Sequence, residues 1–195
     1  MIILSLDIST KTGWSLFSFD KKFELQEYGL MSCKQEGTKF DVFDPDSIDK
    51  ILLTVDDYST KLTDLLNKTK PDRVVIEQTN LGRQRIVQKL LEWIHYKTII
   101  IIKEKVGQHP IFVDSSQWRK AVGLKLSVED RKHNKDIKKN KKRGKIGKKQ
   151  LAVRIVNDLF KHVLKEPLKM KDNDIADSIL VGLGYYNLFL GEKDG

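Results

Sequence analysis

At 195 residues and 39% hydrophobic composition the chain can bury one good core, and a single domain spanning 1–195 is expected. The densest apolar run, "TIIII" (98–102), is far too short for a membrane span; "MIILSLD" lacks the basic start of a secretory signal, and Cys33 alone forms neither a disulfide framework nor a Cys-based zinc cluster. The net charge of +9 is local: residues 131–149, "RKHNKDIKKNKKRGKIGKK", hold eleven Lys/Arg against one Asp, and the rest of the chain nets −1.

In chain order, "MIILSLDIS" reads as a strand with Asp7 near its C-terminal end. "TKTG" turns the chain, and "WSLFSFD" (14–20) and "FELQEYGLMS" (23–32) continue as strands of a meander, with turn composition over 34–46. From Ser47 to Leu66 the apolar residues recur at helical spacing, and "NKTKP" ends that helix. "DRVVIEQT" (72–79) is a buried-type strand with Glu77 near its end. Residues 84–106 read as a long helix, apolar nearly all round, so that one sheet face covers about half of it and the other half needs a second cover; Trp93 and Tyr96 are expected in the core or at a dimer contact. "PIFVDSS" (110–116) is a strand and "SQWRKAVG" a short helix stopped by Gly123. A basic, flexible loop is expected over 124–147, then helices over 148–163 and 173–190. Three antiparallel strands followed by strand–helix alternation predict an α/β fold, a mixed five-stranded sheet with helices on both faces.

Asp7 and Glu77 end two strands that an open α/β sheet sets at one crevice. The closing helix opens with "KDNDIADSIL": Asp172 is expected as its cap, with Asn173 the alternative cap and Asp172 the alternative to Asp174 as a ligand, whereas Asp174 and Asp177 lie three apart on a face that must be buried. Converging carboxylates repel unless divalent cations compensate them, and oxygen-only donors select Mg²⁺ or Mn²⁺ over zinc. Two such ions about 3.5–4 Å apart would serve phosphodiester cleavage, and a polycation beside them has a polyphosphate partner. The four histidines are scattered, so surface or packing roles are expected for His95, His109, His133 and His162. Trp14 and Trp118 read as packing residues, with Trp118 beside Arg119 also in a position to touch DNA.

At these residues the chain resembles the RuvC-type Holliday-junction resolvases of the RNase H-like superfamily. "LSLDISTKTGW" is similar to their first-strand motif, "VVIEQ" to their second acidic motif and "DIADSILVGL" to their closing Asp-x-x-Asp helix, while "RKAVG" followed by "GKKQLAV" resembles their Lys-containing segment. The resemblance implies an RNase H-like fold and catalytic, metal-holding Asp7, Glu77, Asp174 and Asp177 with two ions. It also implies Lys148, or Lys149 in its place, near the scissile phosphate, and a homodimer, with Leu90 and Ile94 of the long helix against the second copy, that nicks a four-way junction or other branched DNA in pairs. Arg83, Arg119, Lys120, Lys141, Lys142, Arg143, Lys145 and Lys149 are the candidate DNA contacts. In bacterial members an aromatic follows the second acidic motif, where this chain has Asn80 and Leu81, and the basic stretch is far shorter. The longer stretch resembles phage and viral members, which implies the cytoplasm of a host cell and relaxed choice among junctions, forks and flaps.

Two other classes fit part of the pattern. An RNase H-like protein that binds nucleic acid without junction specificity would keep the basic segment but has no use for four acids. An ATP-binding actin- or sugar-kinase-like domain has a hairpin similar to "LDISTKTGWSL"; it needs a duplicated second domain that 195 residues do not accommodate, so no nucleotide cofactor is expected.

Overall fold

The computed structural model describes residues 1–33, 45–78, 85–140 and 144–191. Its sheet is built from β1 (Ile2–Asp7), β2 (Lys11–Phe19), β3 (Phe23–Ser32), β4 (Arg73–Glu77) and β5 (Ile111–Val113), in the order β3-β2-β1-β4-β5. The three-strand meander is antiparallel, and β4 and β5 add to β1 in parallel. The expected mixed α/β sheet is therefore the observed one.

Side chains alternate across this sheet with the period of two that a pleat imposes. Leu4, Leu6, Val74 and Ile76 enter a core with helices α1 (Pro45–Thr69) and α2 (Arg85–Val106). Ile3, Phe17 and Val75 enter the opposite core, built with α3 (Ser115–Ala121), α5 (Lys148–Phe160) and α6 (Asn173–Tyr185). The same alternation assigns Asp7 and Glu77 to the α6 side. Ser5, two residues before Asp7, confirms that assignment, since its hydroxyl donates to the Ser178 carbonyl at 2.9 Å.

Helix α6 lies close on the sheet because glycine permits it. A Cβ on Gly13 would stand 1.8 Å from the Asp174 carbonyl oxygen, and one on Gly182 would stand 2.4 Å from the Phe17 ring of β2; on the other side, one on Gly184 would stand 2.6 Å from the Trp118 Cβ of α3. Trp118 is fully buried in this core, so of its two expected roles packing is the one it fills.

Three expectations are corrected. Residues 128–139 are not loop: Val128–Lys139 form a helix, α4, capped by Ser127 and Asp130, because polar anchors rather than an apolar stripe hold it. Leu90 and Ile94 are 2% and 0% exposed within the single chain, packed against α1 and the sheet, so neither faces a second copy; Trp93 and Tyr96 turn outward. The Asp172 carboxylate accepts from the Lys169 amide at 2.8 Å, closing the 3₁₀ turn Met170–Asp172, and makes no capping bond to α6. The closing helix is α-helical to Tyr185 and continues as a π turn, Tyr186–Leu190.

Candidate active site

β1 and β4 run parallel with Leu6 beside Ile76, so Asp7 and Glu77, one residue further on, leave adjacent strand ends on one face. On the other side of Asp7 in the sheet is Gly13, and over Gly13 lies the backbone of Asp174. Asp177, one helical turn later, completes the set. A cavity of about 430 Å³ is lined by Asp7, Glu77, Asp174 and Asp177 together with His95, Arg119 and Lys149. The sheet register and one close glycine contact thus unite acids from three distant parts of the sequence.

Two cations meet the acids. Arg119, on the last turn of α3, donates from Nη2 to Glu77 Oε1 at 3.1 Å. Lys149, on the first turn of α5, holds its Nζ 3.6 Å from Asp174 Oδ1, which also accepts from the Asn173 side-chain amide. Two cations do not neutralise four carboxylates. Burial, then repulsion from Asp177, Glu77 and Asp174, pushes Asp7 up to about 8. Burial and Glu77 push Asp177 up to about 6 against the pull of Lys149 and Arg119. Glu77 is raised by burial, with Arg119 opposing.

These oxygen donors fit a hard divalent cation by charge and chemistry. As the side chains stand, no three His, Cys, Asp or Glu among the described residues close on one point as a ligand set would. Arg119 and Lys149 hold Glu77 and Asp174 instead.

Both candidate lysines are exposed; Lys149 lines the cavity, and Lys148 acts on Glu77 through its charge. Lys120 and Lys145 are exposed outside the cavity. Arg83, Lys141, Lys142 and Arg143, with Asn80 and Leu81, lie outside the described residues.

His95, expected only in a surface or packing role, also lines the cavity. Its Nδ1 stands 2.8 Å from the Leu91 carbonyl oxygen, an acceptor only, so Nδ1 carries the proton. Nε2 is buried and meets no donor, and burial holds the ring below its ordinary pKa. Its spacing with Leu91, Thr98 and Ile102 puts it on one helix face with them, but in a helix apolar nearly all round that spacing alone does not mark the face as the inner one.

No protein-family model and no curated protein sequence matches the chain. Solved structures do match in shape. RuvC of Thermus thermophilus in complex with a Holliday junction substrate superposes with a TM-score of 0.64 at 13% identity, over 96% of this chain and 94% of that one. A second Thermus thermophilus RuvC structure gives 0.62 at 14% identity, with 96% and 94% covered. The yeast mitochondrial Holliday junction resolvase Ydc2 gives 0.56 at 13%, over 95% of this chain and 77% of that one. The chain thus has an RNase H-type α/β fold. Within that class its fold is that of RuvC and the mitochondrial resolvase.

Proposed function

We infer that the protein is a metal-dependent, structure-selective DNA endonuclease that resolves Holliday junctions, and related branched DNA, by paired phosphodiester nicks. The observation that carries this reading is one cavity lined by four carboxylates, Asp7 and Glu77 from adjacent parallel strand ends and Asp174 and Asp177 from α6, together with Arg119 and Lys149. Such a group is costly to assemble for structure alone, since burial and mutual repulsion already drive Asp7 to about 8. The resemblance in sequence motifs and the likeness in fold to junction resolvases support the same reading from independent directions.

In this reading Asp7, Glu77, Asp174 and Asp177 hold two Mg²⁺ or Mn²⁺ ions. When bound, the ions supply the positive charge that favours attack by water and departure of the 3′ oxygen. Arg119 and Lys149 exchange their carboxylate partners for phosphate oxygens, which positions the scissile strand. Lys149 takes the place beside the phosphate, and Lys148 adds charge at the rim. Lys120, Lys145 and, beyond the described residues, Arg83, Lys141, Lys142 and Arg143 bind backbone phosphates. A homodimer supplies the two sites that paired cuts require.

The test compares a mobile four-way junction, a fork and linear duplex at identical salt, with Mg²⁺ and with EDTA. Symmetrical Mg²⁺-dependent cuts in the junction, abolished by EDTA, are expected. Binding without any nicking in Mg²⁺ or Mn²⁺ would leave a nucleic-acid-binding protein without chemistry.

A further inference from the structure

Helix α4 divides into two faces. At about 100° per residue, Asp130, His133, Asn134 and Ile137 share one side of it. All four point back to the protein or to the segment 144–147 that leads into α5. Asp130 is 6% exposed and receives Arg154 Nη1 on both carboxylate oxygens at 3.1 Å. Asn134 makes a two-way bond with the backbone of Ile146, donating to its carbonyl at 2.9 Å and accepting from its amide at 2.7 Å. The His133 ring stands 3.3 Å from the Gly144 carbonyl oxygen, and Ile137 is half-buried.

The opposite side is a different surface. On the same helical count Arg131, Lys132, Lys135, Lys138 and Lys139 fall within an arc of about 120°. All five are exposed. The acids Glu129 and Asp136 fall outside that arc, on one flank. A free polycation needs no such sorting, and a surface helix kept only for solubility mixes its charges.

We propose that α4 is a preformed arm that grips the phosphate backbone of a DNA duplex, with its cationic arc on the phosphates and its polar face latched to the domain. Twelve residues of helix make about 18 Å, enough to follow several successive phosphates of one strand. The latch is placed to couple this grip to the cavity. Ile146 is two residues before α5, whose first turn carries Lys149, and Arg154 is on the same helix. An arm seated on a duplex flank therefore fixes the start of the helix that brings Lys149 to the acids. Ordering in advance spares the entropy that a loop would lose on binding.

This deepens the DNA-directed reading of the cavity and rests on it, but its test uses binding in EDTA, so a failure to nick leaves it standing. Two variants are compared with wild type on a four-way junction across a salt series. Lys132→Gln/Lys135→Gln/Lys139→Gln removes charge from exposed positions; the slope of log K against log salt is expected to shrink by up to about 0.9 for each phosphate no longer neutralised. Asn134→Ala removes no charge and opens the latch; a five- to tenfold weaker junction affinity is expected, with a smaller loss when the junction arms are cut too short to reach α4. An unchanged slope in the triple variant would overturn the grip on phosphate. Unchanged affinity in Asn134→Ala beside a weakened triple variant would overturn the preformed arm, leaving a polycation that needs no fixed shape.

Discussion

Asp7 is the residue on which the site turns, because the sheet gives it no exit from its neighbours' charge. With its pKa raised from 3.8 to about 8, the native state without metal holds a proton there that the unfolded chain has released. Between these values the native state binds more protons, so stability falls as pH rises from about 4 to about 8. Asp7→Asn removes this penalty. The variant is expected to melt higher than wild type at pH 8 in EDTA and by a much smaller margin at pH 4, each kcal/mol relieved being worth about 2–4 °C in a chain of this size. Thermal melts at the two pH values check it; an equal or lower melting temperature at pH 8 refutes it. On junction DNA the same variant is expected to lose nicking by several orders of magnitude while keeping affinity, because phosphate contacts are separate from the metal-holding set. Gly13 is the second critical residue. Gly13→Ala drives a Cβ into the Asp174 carbonyl, so α6 must lift from β2. Overpacking of this kind costs about 1–3 kcal/mol. Both a lower melting temperature and weaker nicking are expected, measured on the same preparation.

The elements differ in how plainly the sequence announces them. β1, β4 and α6 are legible because strong periodicity and their acids coincide: "MIILSLD", "RVVIE" and "DIADSIL" each state an element and a place for a carboxylate. α2 was legible as a helix, but not by face. Its apolar residues nearly encircle it, and only the packed structure tells that Leu90, Ile94 and Ile102 are inside while Trp93 and Tyr96 are outside. α4 was illegible for a different reason. Helix reading weighs apolar recurrence, and this segment is held by Asp130–Arg154 and Asn134–Ile146, contacts that lie far apart in sequence. One local signal was available: Ser127 and Asp130 form a capping box, a Ser-x-x-Asp that opens a helix even where the helix itself is polar. Ser127→Ala, which removes the hydroxyl that accepts from the Asp130 amide at 3.0 Å, is expected to cost about 1 kcal/mol of helix stability. Hydrogen exchange over 128–139 reads that loss directly. Protection equal to wild type would mean that the Arg154 and Ile146 contacts alone hold α4.

For the whole molecule the question raised by the proposed resolvase activity is how one cavity would make two cuts. Among the described residues each chain carries a single such carboxylate set, so paired nicks in a two-fold junction would call for two chains about a two-fold axis. α2 offers a place. Trp93 and Tyr96, three apart on its outer side, are 41% and 66% exposed, large aromatics left partly open to solvent. Large aromatics are enriched at the centres of interfaces and depleted on free surface. Charge at Ile94 would not test this, since Ile94 is fully buried and Ile94→Glu is expected to abolish folding outright. Trp93→Glu/Tyr96→Glu does test it, because both positions face outward and the fold should survive. The wild-type chain is expected to sediment as a dimer at micromolar concentration and the double variant as a monomer, with a melting temperature lowered only by the subunit linkage. On a four-way junction the monomer should leave single nicks where the dimer leaves paired ones, since its own cavity is intact. A double variant that still sediments as a dimer places the contact elsewhere. A monomeric one that still cuts in pairs shows that two independent chains suffice, and that the junction itself, not the protein, brings the two sites together.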